Sequence, residues 1–235
     1  HAGWLAAASG IIKDKNIQSL CGHPILEWSL KAALKSKLID EVYLSTDSED
    51  YANIAEEIGV KVPFLRPKEI SKDNSPDLDF VLHALDELAK KNIYPKYIVH
   101  LRPTTPIRSP RIIDDGIKYY MNNQSYTSMR SVQKMSESSY KTLEIIDNHL
   151  MPLNGIQIDL DVNSARQNFP DTYQANGYVD VLSTDFIINN NHIHGQKVLP
   201  FTTNITQELD SLEDFSYLEF LAKESKEIFE ELFGN

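Results

Sequence analysis

The sequence has a single cysteine, Cys21, among its 235 residues. One thiol cannot form an internal disulfide or a cysteine-based metal cluster, so a disulfide-stabilised scaffold is excluded and a reducing compartment is favoured. No apolar run approaches the roughly 20 residues that a bilayer-spanning helix needs, and the first residues lack the basic-then-apolar pattern of a signal peptide. These absences predict a cytoplasmic protein with no membrane partner.

Positive charge is also scarce. The 23 Lys and Arg residues stand against 34 Asp and Glu residues, which gives a net charge of −11. Proteins that bind nucleic acid usually carry a basic face, so we expect no nucleic-acid partner. A small anionic substrate is not excluded, because a local basic pocket or a divalent ion is enough to bind it. The 41% hydrophobic and 24% charged residues are typical of a globular chain of one large domain, with or without an appendage.

Several familiar catalytic motifs are missing. The sequence has no G-x-S-x-G nucleophile elbow, no H-E-x-x-H pair and no Walker A loop, which disfavours an esterase, a metalloprotease and a P-loop enzyme. Its histidines do not cluster. His83 and His100 lie in apolar elements and are more typical of a core, whereas His192 and His194 follow an asparagine run that is typical of a turn.

What the sequence does contain is an alternation of strand and helix patterns. Short apolar runs predict strands at 41–47, 60–67, 96–103, 126–135, 140–146, 178–182 and 197–203. Apolar residues at helical spacing predict helices at 23–37, 48–59, 75–92, 109–123 and 211–233, with a short helix after residue 182. Such alternation predicts an α/β fold with a mostly parallel sheet flanked by helices.

Polar tails follow three of the predicted strands, at 45–47, 66–67 and 102–105. Any one tail is typical of an ordinary loop. Ligands of parallel sheets bind beyond the carboxyl ends of the strands, however, so three polar tails on one edge favour a site there.

The stretch from about residue 125 to 175 does not continue the regular alternation of strands and helices, because short strand patterns there are separated by turn-rich runs. Two interpretations remain open from the residues. The stretch forms either a hairpin that leaves the main sheet, a common way for subunits to pair, or an antiparallel edge of the same sheet.

Candidate anion-binding residues occur in two places. Lys13, Lys15 and Asn16 precede the first predicted helix, and together they offer mobile positive charge, a donor and an acceptor. Arg166 opens the run 166–177, where its guanidinium is suited to a carboxylate or a phosphate.

A candidate metal site is carried by Glu208 and Asp210, which lie two residues apart. In an extended segment the two carboxylates share one face and offer the oxygen ligands that Mg²⁺ prefers. Such a pair is weak evidence by itself, because acidic residues are plentiful in this chain.

In their order and spacing these segments resemble the acylneuraminate cytidylyltransferase family, which comprises the CMP-sialic acid synthetases and their bacterial nonulosonate relatives. The landmarks are KDKNI at 13–17, GHPILEW to FLRP at 22–67, DLDFVLHAL at 77–85, LRPTTPIRSP at 101–110, RQNFPDTYQANGYVDV at 166–181 and ELDSLEDF at 208–215.

The resemblance implies a Rossmann-like nucleotidyltransferase fold, with one domain over residues 1–235 and a protruding dimerisation subdomain inserted at 125–175. It implies that CMP passes from CTP to the anomeric hydroxyl of a nonulosonic acid, with release of pyrophosphate and assistance from Mg²⁺. It also implies a homodimer.

Residue roles follow from the same resemblance. Asp210, Lys15 and Arg166 are the implied catalytic residues, and Asp210 with Glu208 the implied metal ligands. The implied nucleotide-binding residues are Ser9, Gly10, Lys13, Lys15, Asn16, Arg66 and Asp77. The implied sugar-binding residues are Arg102, Thr104, Thr105, Lys141, Arg166, Tyr173, Asn176 and Gly177, of which Lys141 is expected to enter the neighbouring subunit's site.

The sequence departs from the family in its nucleotide loop. Ala6 and Gly10 stand where the family has an Arg and a Lys that hold the triphosphate. Three explanations are open: a weakened relative that only binds nucleotide or sugar acid, compensation by Lys13 and Lys15, or a first dozen residues that differ from the natural chain. Arg102 replaces a common Gln, which leaves legionaminate or another bacterial nonulosonic acid as an alternative substrate. A related nucleotidyltransferase for another base or a shorter sugar acid, such as the eight-carbon KDO, is a separate alternative.

Overall fold

The computed structural model describes residues 2–7, 15–72, 74–153 and 162–234. The strands in these ranges are β1 (Ala2–Ala7), β2 (Ser19–Leu20), β3 (His23–Pro24), β4 (Glu41–Ser45), β5 (Tyr97–Leu101), β6 (Ser128–Lys134), β7 (Leu143–Ile146), β8 (His149–Pro152), β9 (Tyr173–Ser183) and β10 (Val198–Thr202). The helices are α1 (Ile25–Lys35), α2 (Glu49–Glu57), α3 (Asp77–Ala89), α4 (Pro110–Met121), α5 (Thr184–Asn190), α6 (Leu212–Glu224) and α7 (Lys226–Phe233). Among the described residues, no helix combines the length and apolarity that crossing a membrane requires.

A six-stranded sheet forms the centre of the fold, in the order β10-β6-β9-β5-β1-β4. β1 pairs in parallel with both β4 and β5, and β10 pairs in parallel with β6. Only β9 runs the other way, antiparallel to β5 and β6 on its two sides. The α/β prediction is confirmed, and five of the six strands share one direction.

Local sequence signals define the helix ends. The Ser48 side chain accepts a hydrogen bond from the Tyr51 backbone at the start of α2, and Ser211 forms a capping box with Asp214 at the start of α6. Gly59, at a φ of +88°, follows the end of α2 in a left-handed conformation that suits glycine.

Helices cover both faces of the sheet. On one face, α1, α2, α4, α6 and α7 contribute to a large apolar cluster that contains the fully buried Trp28. On the other face, α3 and α5 contribute Phe80 and Ile187 to a smaller cluster. The sheet is therefore sandwiched between two apolar layers.

Two predicted elements were wrong in detail. The predicted strand at 60–67 makes a single bridge, between Lys61 and Tyr43, because Pro63 interrupts the run and cannot donate to a strand ladder. The predicted C-terminal helix at 211–233 is divided at Ser225 into α6 and α7.

The stretch around 125–175 contains a hairpin that is separate from the main sheet. β7 and β8 pair only with each other among the described strands, as a two-stranded antiparallel sheet. Each of the two interpretations left open by the sequence therefore describes part of the stretch, because β7 and β8 leave the main sheet whereas β6 and the start of β9 belong to it. The hairpin's predicted part in dimerisation stays a prediction.

Candidate active site

The carboxyl edge of the sheet brings the polar tails together. β4, β1, β5 and β6 all end at this edge, and β9 begins there because it runs in the opposite direction. The tail of β4 also receives the segment before α3, since the Arg66 backbone donates to the Thr46 carbonyl over 2.7 Å. All three tails predicted at 45–47, 66–67 and 102–105 therefore lie at one edge.

A hydrogen-bonded junction links the predicted nucleotide, sugar and metal residues. Lys15 Nζ donates to the Leu209 carbonyl over 3.3 Å. Thr104 Oγ1 donates to Glu208 Oε1 over 2.9 Å, and the Leu209 backbone donates to the Thr104 carbonyl over 2.8 Å. We call this group, Lys15, Thr104, Glu208 and Leu209, the rim junction.

The rim junction orients two carboxylates. The Leu209 side chain is buried at 1% exposure, whereas Asp210 is exposed and Glu208 is half-buried. Leu209 thus anchors the segment, and the acidic side chains on either side of it extend away from the core. In the ranges that the structure describes, no group of three or more His, Cys, Asp or Glu side chains is arranged to hold a metal ion. The pair fits Mg²⁺ nonetheless, since this ion is usually bound by one or two carboxylates together with substrate phosphates and water.

Next to the rim junction, Asn16 has an unused acceptor. Asn16 is 2% exposed, and its Oδ1 atom accepts no hydrogen bond from any described residue. Buried polar atoms are normally paired, so an unpaired oxygen beside the junction is available to a ligand donor such as a hydroxyl or an amine.

Arg66 is buried at 3% exposure beneath the tail of β4. Its Nε atom donates to Ser71 Oγ over 2.9 Å, and its Nη2 atom lies 3.8 Å from Asp47 Oδ1. Burial lowers the pKa of its guanidinium, an effect that the charge of Asp47 opposes. The structure therefore holds a positive charge at low exposure next to the polar tail of β4.

Arg102 and Asp77 form an ion pair at this edge, with Nη2 and Oδ2 separated by 2.5 Å. The stem of Arg102 crosses Gly177, where an added Cβ atom would lie 3.0 Å from Arg102 Cδ. Gly177 also has a φ of +62°, which a larger residue rarely adopts. Close beside it, Thr105 Oγ1 donates to the Asn176 carbonyl over 3.1 Å. The structure thus brings these five predicted residues together.

Three other predicted residues lie further along the arm formed by β6 and β9. Tyr173 faces Lys134 at the outer end of the strand pair and is half-exposed. Arg166 Nη2 donates to the Met135 carbonyl over 3.0 Å, and Lys141 Nζ donates to the Ser164 carbonyl over 3.2 Å. Their predicted roles in catalysis and sugar binding stay predictions. Ser9, Gly10 and Lys13 lie outside the described residues.

Below the edge lie buried ionisable groups, of which the sequence indicated His100 but not Asp180. Asp180 is 2% exposed, accepts a hydrogen bond from the Ser131 backbone over 3.1 Å, and lies 3.8 Å from Arg130 Nε. Burial raises the pKa of Asp180 to about 6 and lowers the pKa of His100 to about 4. His100 was expected in the core, and this is confirmed. No sequence signal marks Asp180, because an acidic residue in a strand is usually exposed.

Arg108 is a further residue at this edge that sequence reasoning did not single out. It lies in the run LRPTTPIRSP and is completely buried. Arginine is rarely fully buried without a partner, so its burial could not be expected from the sequence. The one hint of a role is its position four residues after Thr104, in a proline-rich turn.

Comparisons with known proteins show the family of the chain. A family model described as cytidylyltransferase matches residues 7–226. An N-acylneuraminate cytidylyltransferase of Escherichia coli is 28% identical over 201 residues, which are 85% of this chain and 45% of that protein. A CMP-N,N'-diacetyllegionaminic acid synthase of Legionella pneumophila is 25% identical over 206 residues, which are 87% of this chain and 86% of that protein. The chain thus spans less than half the length of the first relative and most of the second.

A solved structure shares the fold. A CMP:2-keto-3-deoxy-manno-octonic acid synthetase complexed with CTP superimposes with a TM-score of 0.69, covering 95% of this chain and 98% of the other at 12% sequence identity. At this level of identity the likeness shows the fold alone. It is the nucleotidyltransferase fold that the family resemblance implied.

Proposed function

The chain belongs to the cytidylyltransferase family, and from this premise we propose that it transfers CMP from CTP to the anomeric hydroxyl of a nonulosonic acid. Pyrophosphate is the second product. The names of the relatives support this substrate class, since one acts on N-acylneuraminate and another yields CMP-N,N'-diacetyllegionaminic acid.

The observation that carries the proposal is the rim junction. Lys15, from the predicted nucleotide-binding segment, is hydrogen-bonded to the segment of the predicted metal ligands, and Thr104, from the predicted sugar pocket, is hydrogen-bonded to Glu208. Three segments far apart in the sequence therefore meet at one place. The proposed reaction needs a nucleotide, a sugar acid and carboxylates within reach of one another, and this arrangement suits that need.

The proposed reaction is a single displacement at phosphorus. The anomeric oxygen of the sugar forms a bond to the α-phosphorus of CTP, the bond from that phosphorus to the oxygen bridging to the β-phosphate breaks, and the hydroxyl proton passes through a carboxylate to solvent water. A hydroxyl is a weak nucleophile, so a carboxylate that accepts its hydrogen bond assists the attack. Asp210, exposed at the rim, is the candidate for this role.

Positive charge is needed where negative charge gathers on the phosphates. Lys15 and Arg66 supply it beside the proposed nucleotide position, and Asn16 offers its unpaired oxygen to the nucleoside. On the sugar side, Arg102 with Asp77 and the backbone around Gly177 form a polar surface suited to hydroxyls and a carboxylate.

We propose that Asp210 and Glu208 hold the divalent ion. A Mg²⁺ ion held there would neutralise phosphate charge and would lower the pKa of a hydroxyl bound to it. Glu208 accepts from Thr104 through Oε1, and among the described residues its other carboxylate oxygen has no hydrogen-bond donor, so that oxygen would be open to the ion.

Ala6 and Gly10 stand where the family has an Arg and a Lys, so Lys13 and Lys15 are the nearest lysines to the nucleotide loop. Lys15 is 5% exposed and is fixed by its hydrogen bond to Leu209, so its ammonium group lies beside the carboxylate segment. This arrangement supports compensation by Lys15. The relatives do not favour the alternative of a non-catalytic binding protein.

A homodimer and a cytoplasmic location belong to the same proposal. The hairpin of β7 and β8 exposes apolar side chains, which we call the hairpin patch. Their exposure to water is unfavourable, and a second subunit would cover them. The patch consists of Leu143, Ile145, Ile146, Leu150, Met151 and Leu153. Lys141 immediately precedes this hairpin, which supports its proposed entry into the neighbouring site.

The experiment is pyrophosphate release from CTP and Mg²⁺ with a panel of sugar acids: N-acetylneuraminate, N,N'-diacetyllegionaminate and the eight-carbon KDO. We expect release with at least one nine-carbon acid and a CMP-sugar product by mass spectrometry. UTP, ATP and GTP are the matched nucleotide controls. No release with any acid, from a folded chain whose N-terminal sequence has been verified, would contradict the proposal.

A further inference from the structure

Arg108 lies at the junction of β5, β9 and α1, below the predicted sugar-binding residues. Its Nη2 atom donates to two backbone carbonyls at once, that of Arg102 over 2.9 Å and that of Gly177 over 3.0 Å. Its Nη1 atom donates to Ser29 Oγ on α1 over 2.8 Å. One side chain therefore ties together the end of β5, the beginning of β9 and the first helix.

The burial of this charge is energetically costly, and its hydrogen bonds offset the cost only in part, because Nε has no hydrogen-bond partner among the described residues. Arg108 is 0% exposed, and its hydrogen bonds among the described residues go to two carbonyls and a hydroxyl and not to a carboxylate. Burial lowers the pKa of Arg108 to about 10, so the guanidinium stays charged at neutral pH. Replacing a buried ionic group by apolar residues often preserves stability, which makes a retained buried charge a candidate for a specific task.

The two carbonyls that Arg108 holds belong to residues of the predicted sugar pocket. The Arg102 carbonyl also accepts from the Thr105 backbone over 3.1 Å, and Thr105 Oγ1 donates to the Asn176 carbonyl. The Arg102 stem crosses Gly177 in contact. A shift of either carbonyl would therefore move Arg102, Thr105 and Asn176 together.

We propose that Arg108 is a positioning residue for the sugar-acid side of the site, and that it acts through the Arg102 and Gly177 carbonyls without touching substrate. The inference rests on the proposed function and adds a residue to it. Among the described residues, Arg108 makes no hydrogen bond to the nucleotide side, where Lys15 and Arg66 are held by other contacts.

Arg108→Lys is the test variant, since lysine keeps the positive charge but lacks the planar fork that reaches two carbonyls and Ser29 at once. We expect the KM for the sugar acid to rise about tenfold while the KM for CTP changes less than about twofold, because misplacement of binding groups by a fraction of an ångström has effects of this order or larger. Arg111→Lys, the same change at an exposed position on α4, is the matched control and should leave both KM values unchanged.

A merely structural role predicts a different result. It lowers the melting temperature and the active fraction of the enzyme, and so reduces the apparent kcat, but it leaves both KM values as they are or changes them together. Either of those results for Arg108→Lys overturns the inference.

If Arg108→Lys does not fold, Ser29→Ala serves as the second test variant. This variant frees one end of the guanidinium while both carbonyls and their residues remain. A selective rise of the sugar KM, about threefold for loss of one hydrogen bond of this kind, supports the inference, and an unchanged sugar KM overturns it.

Failure of the proposed function is recognised separately, as a wild-type chain that releases no pyrophosphate with any sugar acid. Amide hydrogen exchange then decides the role of Arg108. Faster exchange in both 102–108 and 174–180 of the Arg108→Lys variant, with the other segments unchanged, supports joint positioning of the two segments. Unchanged exchange in these segments, or faster exchange throughout the chain, overturns it.

Discussion

Asp180 is a carboxylate enclosed by the central sheet, in a position where its charge is costly. Its neighbours offset part of this cost, because the Ser131 backbone donates to it and Arg130 lies 3.8 Å away. Burial still dominates and raises its pKa to about 6. The folded protein therefore binds a proton at Asp180 more tightly than the unfolded chain does, and stability must depend on pH through this residue.

The pH dependence of Asp180 has a definite sign. Since the pKa in the folded state exceeds the ordinary value of 3.8, the contribution to stability is complete below about pH 4 and is lost as the pH rises through about 6. Asp180→Asn keeps an acceptor for the Ser131 backbone but does not titrate. We expect the free energy of unfolding of the wild type to fall by about 2 kcal/mol relative to the variant between pH 4 and pH 7.

Urea unfolding of both proteins at several pH values measures this difference. Asp115→Asn, an exposed carboxylate on α4, serves as a control that should show no comparable change. A wild-type protein that gains stability relative to Asp180→Asn as the pH rises would mean that the sign assigned to Asp180 is wrong.

Asp210 presents the opposite case of an exposed carboxylate assigned to chemistry. Its side chain lies in solvent beside the rim junction, and its backbone donates to Asp214. Because the carboxylate supports no packing, Asp210→Asn should change the free energy of unfolding by less than about 0.5 kcal/mol. Turnover should fall about 100-fold or more, as expected when a group that stabilises charge in the transition state is removed.

Steady-state kinetics and thermal unfolding of Asp210→Asn together test that assignment. Glu213→Gln, an exposed acidic position in the first turn of α6, is the matched control and should retain turnover. Turnover near the wild-type level in Asp210→Asn would mean that the metal and the activated hydroxyl are held elsewhere.

At the scale of the element, the hairpin of β7 and β8 stands apart from the sheet and has little core of its own. Ile145 and Leu150 face each other across the strands and are 76% and 67% exposed. An isolated two-stranded hairpin is marginally stable in water, so a covering surface would stabilise it. A second copy of the chain is the partner that the family resemblance implies.

Placing two negative charges on this hairpin tests the implied dimer. The wild type should elute as a dimer in size-exclusion chromatography with light scattering, and Ile145→Glu with Leu150→Glu should convert it to a monomer, because an apolar interface does not accommodate unpaired charges. Ile188→Glu, at an exposed apolar position on α5, should remain dimeric. A monomeric wild type, or a double variant that stays dimeric, would rule out this interface.

The elements also reveal the limits of sequence reasoning. Helices with clear caps, such as α2 with Ser48 and α4 with Ser109 and Pro110, were predictable because the signal is local. The segment 60–67 was wrongly predicted as a strand, since its apolar content suits a strand while Pro63 prevents a ladder. The reversed direction of β9 depends on tertiary packing and leaves no local trace.

The same distinction between local signals and tertiary packing separates the site residues that the sequence indicated from those that it did not. Residues in compact motifs, such as Thr104 and Thr105 after β5, were identified from the sequence and lie at the carboxyl edge. Arg108 and Asp180 were not, because full burial of a charged side chain is a property of the folded surroundings. Roles assigned to Lys141, Arg166 and Tyr173 depend on a second subunit or a bound substrate and remain predictions.

At the scale of the whole molecule, the chain has a net charge of −11 but places several cations at one edge of the sheet. Lys15, Arg66, Arg102 and Arg108 are buried or half-buried there, beside the carboxylates of that edge. Low-exposure cations act on a ligand with little screening by solvent or salt. An acidic protein can thus present a site that suits a triphosphate and a sugar acid.

We propose that this edge of the sheet binds CTP, a divalent ion and an acidic sugar side by side. A crystal structure of the protein with CTP and Mg²⁺ would show where the nucleotide lies. We expect the cytidine and phosphates between Asn16, Arg66 and Asp210, with the ion at the Asp210 carboxylate. A nucleotide bound at any other part of the molecule would rule out this site.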